Sequence, residues 1–225
     1  MIASGYDRRL AIAKQADRLE LLLHSIKKNT LTKIPEILVC DDFSENVDAQ
    51  NSCKAICESY GVRYVLKPDQ WTGPCGNYNN AVREAKYEQV AMLGDDQFCS
   101  KGWWEPIPYF IENNPGVKWG MLGWSVIFAD DLVRAGVLPS KESFYSSPEV
   151  LWELGAGSIP RQAIDENWCN WDIPRYRGCC SGTAFVVKRS LWEWFGGFHE
   201  ELYQFDEDYG DNVWNVTVHT CIQIP

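Results

Sequence analysis

The sequence predicts an α/β fold, a mainly parallel sheet flanked by helices, and three observations carry that expectation. Segments with helical apolar spacing alternate with short apolar runs of strand length along the amino-terminal half. Gly, Pro and Asn clusters punctuate them. Two of the apolar runs end abruptly on paired acids, Asp41-Asp42 and Asp95-Asp96. In open parallel sheets ligands gather beyond the carboxyl ends of strands, so both pairs are candidates for one site.

Each element follows from its pattern. Leu19, Leu22, Leu23 and Ile26 recur at helical spacing and predict an amphipathic helix over Ala11 to Lys28. Pro35 precedes the strand Glu36 to Cys40. A second helix is expected over Asp48 to Tyr60, with Cys53, Ile56, Cys57 and Tyr60 inward and Gly61 as its stop. Val62 to Leu66 is the next strand. Trp71 to Gly76 reads as a turn cluster, Asn77 to Lys86 as a helix, and Gln89 to Leu93 as the strand that delivers Asp95-Asp96. Prolines at 106, 108, 115, 139, 148 and 160 break the middle into short pieces, within which Trp119 to Ala129 looks like strand material. Gly182 to Val187 is a further strand, Lys188 to Phe195 a helix, and Gly196-Gly197 its stop. With neither repeat nor low-complexity linker, the 225 residues read as one domain.

Composition narrows the function. The 31 acidic against 21 basic residues give a formal net charge of -10, which disfavours a general nucleic-acid binder. The first nine residues hold no signal-peptide core, and no apolar run is long enough to span a bilayer, so a cytoplasmic protein is expected, at most in peripheral contact with a membrane. The nine cysteines force no disulfide framework, and Cys40, Cys53, Cys57 and Cys99 read as buried small apolar residues. The adjacent Cys179 and Cys180 lack the spacing of a zinc knuckle.

The acids carry the chemistry. A nucleoside diphosphate leaving group gathers negative charge, which a divalent cation held by hard oxygens neutralises. Asp96 suits a direct metal ligand, with Asp95 turned toward donor ribose or a neighbouring partner, because consecutive side chains of an extended stretch point apart. Asp41 and Asp42 suit hydrogen bonds to a base or ribose; for both pairs an ordinary acidic turn is the plain alternative. Downstream, Phe205 to Asp211 crowds carboxylates, a setting that raises one pKa and suits a general base. Indole faces stack well on sugar rings, and among eleven tryptophans Trp168, Trp171 and Trp192, with Tyr176, are candidates for that role, although most indoles must serve packing.

Together these segments resemble the family-two type glycosyltransferases with the GT-A fold. The matching stretches are Val39-Cys-Asp41-Asp42-Phe43-Ser44, Gly76-Asn77-Tyr-Asn-Asn80-Ala81, Leu93-Gly94-Asp95-Asp96, Gly182-Thr-Ala-Phe-Val, Gly196-Gly-Phe-His-Glu200 and Glu207-Asp208. Order and spacing across Ile34 to Asp211 make the set specific.

The resemblance implies a Rossmann-like sheet whose first strand, Met1 to Ser4, is very short, and transfer of a glycosyl group from a nucleotide-sugar donor to a hydroxyl of a carbohydrate or glycan acceptor, with inversion. It implies that Asp41, Asp42, Asn80 and Asp95 bind the donor and that Asp96 binds Mn or Mg. It further implies that Gly197, Phe198 and His199 border the acceptor, and that Asp208, paired with Glu207, is the catalytic base. Relatives often give a late His or basic residue to the diphosphate; His219 is the candidate here for metal or phosphate, with an uninvolved strand or tail residue as the plain alternative.

The chain departs from the pattern in three places. Gly94 stands where many relatives have the first Asp of the metal motif, His199 replaces an Asp, and the chain ends soon after the Glu-Asp pair, as a minimal or carboxyl-terminally truncated domain would. Two other readings are a nucleotidyltransferase, for which Ile2 to Leu10 lacks a glycine cradle, and a non-catalytic carbohydrate-binding protein derived from the same fold.

Overall fold

A computed structural model of the chain describes residues 2–4, 12–42, 46–67, 73–124, 129–134, 136–140, 143, 175–177, 184–198 and 220–224. The elements in chain order are β1 (Ile2–Ser4), α1 (Ile12–Asn29), β2 (Leu38–Asp41), α2 (Val47–Tyr60), β3 (Arg63–Leu66), α3 (Gly73–Glu84) and β4 (Gln89–Gly94). They continue with α4 (Pro106–Asn113), β5 (Trp119–Trp124), α5 (Ala129–Arg134), β6 (Arg175–Arg177), β7 (Ala184–Lys188), α6 (Arg189–Phe195) and β8 (Thr220–Ile224).

Among the described residues the strands form one sheet in the order β3-β2-β1-β4-β7-β5-β8-β6. The first four are parallel, as helical crossovers between them require. β7 then runs antiparallel between β4 and β5, β5 pairs parallel with β8, and β6 closes the sheet antiparallel to β8. The mainly parallel sheet expected from sequence therefore describes the amino-terminal half, and the other half is mixed.

Alternation along β4 shows why helices lie on both faces. Ala91 and Leu93 pack with Leu19, Leu22, Leu23 and Ile26 of α1 and with Cys53 and Cys57 of α2. Val90 and Met92 face the other way, into Tyr78 and Val82 of α3, Phe185 and Val187 of β7, and Trp192 and Phe198. A strand buried on both faces must be apolar at every position, and Val90 to Leu93 is.

The helix boundaries follow from local chemistry. Asn46, with extended backbone, caps α2 by accepting from the amides of Asp48 at 3.0 Å and Ala49 at 3.2 Å. Gly61 ends it with φ 64°, the left-handed conformation that closes a helix.

Three expectations need correction. α3 begins at Gly73 rather than Asn77, since Pro74 falls in the first turn, where a missing N–H costs nothing. Pro106 likewise opens α4 instead of breaking the chain. The strand at Trp119 stops at Trp124, and Ala129 starts α5. Cys40, Cys53, Cys57 and Cys99 are buried, as expected, and form no disulfide. No helix among the described residues is long and apolar enough to cross a membrane.

Candidate nucleotide-sugar site

β1 decides where the two acidic pairs lie. Its Ile2 is in register with Val39 of β2 and Leu93 of β4, and its Ala3 with Cys40 and Gly94. The ends of β2 and β4 thus flank one short strand at the same edge of the sheet. With neighbouring strands about 4.8 Å apart, roughly 10 Å separates them. Chain order reverses between β1 and β4, the switch point where doubly wound sheets open a crevice. Asp41-Asp42 and Asp95-Asp96 stand on its two sides.

Asp41 closes β2 and is buried, as is Asp42 after it. The Tyr64 hydroxyl on β3 donates to Asp41 Oδ2 at 2.8 Å. Burial first, and then the Asp41 carboxylate, push the Tyr64 phenol above its usual range, so it stays a donor. The next contact belongs to α3: Asn77, 2% exposed, donates from Nδ2 to the Cys40 carbonyl at 3.0 Å and ties the helix to the strand just before Asp41. Asn80, three residues further along α3, has a buried Nδ2 with no acceptor among the described residues. A buried amide donor left open is costly unless a ligand oxygen completes it.

On the other side, Asp95 and Asp96 form the turn after β4. Arg18 of α1 meets both: its Nη2 lies 3.2 Å from Asp96 Oδ2 and 3.7 Å from Asp95 Oδ1. The same stripe of α1 fastens the chain beyond the acids. Ser25 Oγ accepts the Cys99 amide at 3.0 Å, Asn29 Nδ2 donates to the Cys99 carbonyl at 2.7 Å, and the Gly102 amide donates to the Asn29 carbonyl at 2.9 Å. Residues 18, 25 and 29 recur at helical spacing, so one face of α1 grips the whole segment. A Cβ at Gly94 would stand 2.9 Å from Asp96 Oδ1, the far end of a half-exposed side chain, so a side chain at 94 would turn that carboxylate aside.

Among the described residues no three His, Cys, Asp or Glu side chains converge on a metal position. Mg or Mn bound with a nucleotide needs only one or two carboxylates, because phosphates and water supply the remaining oxygens. Asp96, its side chain 52% exposed, and Asp95 at 18% offer those two. They fit.

The third wall is the turn after α6. Gly196 and Gly197 have φ 84° and 81°, and Phe198 follows them into the core. The Phe198 ring packs edge-on against Trp192 with centroids 4.4 Å apart. Both rings are 3% exposed. Their burial gives both rings a packing role that fixes Gly197. His199, Trp168, Glu207, Asp208 and His219 lie outside the described residues.

Sequence reasoning missed Arg18, Asn77 and Asn79. Arg18 had a signal: it falls on the buried stripe of α1 with Leu22, Ser25 and Asn29, where a charge needs a partner. A cavity of about 330 Å³ also opens at the amino ends of β2 and β4, walled by Ile26, Ile37, Leu93, Trp103 and Trp104. It lies at the other end of the sheet from the acidic pairs, and its walls are mostly apolar, with Glu36, Glu88 and Gln89 at the polar part.

A parallel half-sheet with acids at its switch point, continued by antiparallel strands, defines the GT-A class of fold. The chain belongs to glycosyl transferase family 2, which it matches over residues 11–123 of its 225. No curated protein sequence matches it. Among solved structures it is similar to a mannosyltransferase from Pyrobaculum calidifontis in complex with GDP-Man and Mn2+, at 16% identity and TM-score 0.62 over 100% of this chain and 54% of that one. It is also similar to GalNAc-T7 with UDP, GalNAc and Mn2+, at 13% identity and TM-score 0.67 over 100% and 42%. A third is TarS of S. aureus, at 14% identity and TM-score 0.60 over 99% and 34%. At these identities the likeness is one of fold, and the chain spans about half or less of those proteins' lengths.

Proposed function

We propose that the chain transfers a glycosyl group from a nucleotide-activated sugar to a hydroxyl of a carbohydrate or glycan acceptor, with inversion. The observation that carries the reading is the pair of acidic strand ends flanking β1, one buttressed by Tyr64 and the other faced by Arg18. Asp41 and Asp42 take hydrogen bonds from the base or ribose, and Asn80 turns its open amide to a donor oxygen. Asp96, with Asp95 beside it, holds Mn or Mg. That ion supplies positive charge to the departing diphosphate. The Mn2+ complexes of the mannosyltransferase and of GalNAc-T7 support the choice of metal.

The acceptor hydroxyl attacks the anomeric carbon as its bond to the diphosphate breaks, and a carboxylate takes the hydroxyl proton. Asp208, with Glu207 next to it, is assigned that proton on the resemblance of the Glu-Asp pair. The turn at Gly197 borders the acceptor, with His199 and Trp168 as its further contacts. His219 is a candidate second ligand of the metal or diphosphate.

Nucleotide release from GDP- and UDP-sugars, with and without Mn2+, tests the reading. Donor turnover that requires Mn2+ and is lost in folded Asp96→Ala and Asp208→Ala proteins is the expected result. Turnover unaffected by either substitution would overturn the assignments.

A further inference from the structure

We propose that Arg18 couples metal binding to diphosphate binding: its guanidinium competes with a divalent cation for Asp95 and Asp96 and is released to the diphosphate of the donor. The inference rests on reading this acid pair as the metal site. Two observations carry it. Arg18 Nη2 lies 3.2 Å from Asp96 Oδ2 and 3.7 Å from Asp95 Oδ1, so one cation already spans both carboxylates. Arg18 Nε is buried with no acceptor among the described residues, so the ion pair leaves one guanidinium donor open.

A guanidinium and a hard dication on the same oxygens repel each other, and solvent at the half-exposed Asp96 weakens that repulsion without abolishing it. Metal alone must therefore displace Arg18 at a cost. A diphosphate changes the sign of the interaction. A bound diphosphate would attract both cations, and the planar fork of Arg18, with Nε available, matches phosphate geometry. Arg18 thus opposes metal alone and favours metal with nucleotide, which makes the two ligands mutually dependent. Arg18 is a donor-binding residue in this scheme, and the segment after the acids does not depend on it, because Ser25 and Asn29 hold Cys99 and Gly102 independently.

The test is Mn2+ binding to the full chain, followed by electron paramagnetic resonance of the free ion, alone and with GDP or UDP. Arg18→Gln is expected to bind Mn2+ alone about five- to tenfold more tightly, while the gain in Mn2+ affinity brought by nucleotide falls by a similar factor. A merely structural role would weaken both. Unchanged or weaker binding of Mn2+ alone, with the nucleotide gain intact, overturns the proposal. Should Arg18→Gln lose its native circular dichroism, Arg18→Lys decides: it keeps the charge and loses the fork, so nucleotide gain must fall while Mn2+ alone binds as in the parent, and an undiminished gain overturns the coupling. Asp96→Asn separates the two levels. If it binds Mn2+ as the parent does, the metal assignment and this proposal fall together; if it loses Mn2+ and the Arg18 variants behave as the parent, the Arg18 coupling alone fails.

Discussion

Asn79 and Phe198 exchange two hydrogen bonds: Asn79 Nδ2 donates to the Phe198 carbonyl at 2.9 Å, and Asn79 Oδ1 accepts the Phe198 amide at 2.9 Å. The side-chain amide does for a turn what a neighbouring strand does for a sheet edge. It joins α3, which borders Asp41, to the glycine turn that the family resemblance places at the acceptor.

Asn79→Ala should therefore destabilise the protein markedly. It strands a buried amide and a buried carbonyl, each costing about 1–3 kcal/mol. Gly197→Ala attacks the same joint from the other side, since a Cβ there would lie 2.3 Å from Asn79 Oδ1 and 2.8 Å from Trp192 Nε1, on a backbone with φ 81°. Urea unfolding of both single variants and the double variant checks the pair. Because they damage one joint, the double variant should lose less than the sum of the singles. Additive losses would show that Gly197 and Asn79 act independently.

Tyr64→Phe removes the hydroxyl that donates to Asp41 Oδ2 at 2.8 Å. A hydrogen bond to a charged group is worth about 1.5–3 kcal/mol. The variant should unfold at lower urea concentration and bind GDP or UDP more weakly, because the Asp41 carboxylate loses its orientation. Calorimetric titration reads the second effect. Weaker folding with unchanged nucleotide affinity would separate Asp41 from the donor.

Much of this fold was legible because β2 and β4 are apolar runs bounded by turns, and because Leu19, Leu22, Leu23 and Ile26 mark the buried stripe of α1. Both acidic pairs were visible for the same reason, as polar residues where an apolar run stops. What sequence did not give is the pairing. Asn79 lies beside Asn77 and Asn80, and nothing local tells which of the three turns toward a chain segment far along the sequence. The prolines misled for a positional reason: Pro74 and Pro106 sit in first turns, where the residue that ends helices begins them. Trp192 was offered to an acceptor because indole suits sugars, and Phe198 because the family resemblance places its turn there; the same apolar area makes both core residues here.

Gly94 tests the metal site from its backbone. A side chain at this position would push against Asp96 Oδ1, which lies 2.9 Å from where its Cβ would be. Restoring the commoner acid with Gly94→Asp should therefore not strengthen Mn2+ binding, even though it adds a carboxylate. Gly94→Ala, which adds only the methyl, should weaken it by moving Asp96. Mn2+ titration of the two variants against the parent decides: tighter binding by Gly94→Asp would mean that Asp96 yields its place without loss.

The thiols next to the site give the protein an alkaline limit. Burial, the leading cause, pushes Cys40 on β2 and Cys57 on α2 up to about 12, against 9.0 for a free thiol. Between those values the unfolded chain releases protons that the folded chain keeps, so stability is fully present below pH 9 and is lost as pH rises toward 12. Each thiol contributes a slope of about 1.4 kcal/mol per pH unit across that window. The half-buried Tyr64 phenol, also raised, acts in the same direction. Urea unfolding at a series of pH values above 9 should show the decline. Cys40→Ala and Cys57→Ala should each flatten it whatever they do to stability at neutral pH, because the slope counts protons and the intercept counts packing. Slopes identical to the parent's in both variants would place the alkaline loss in other groups.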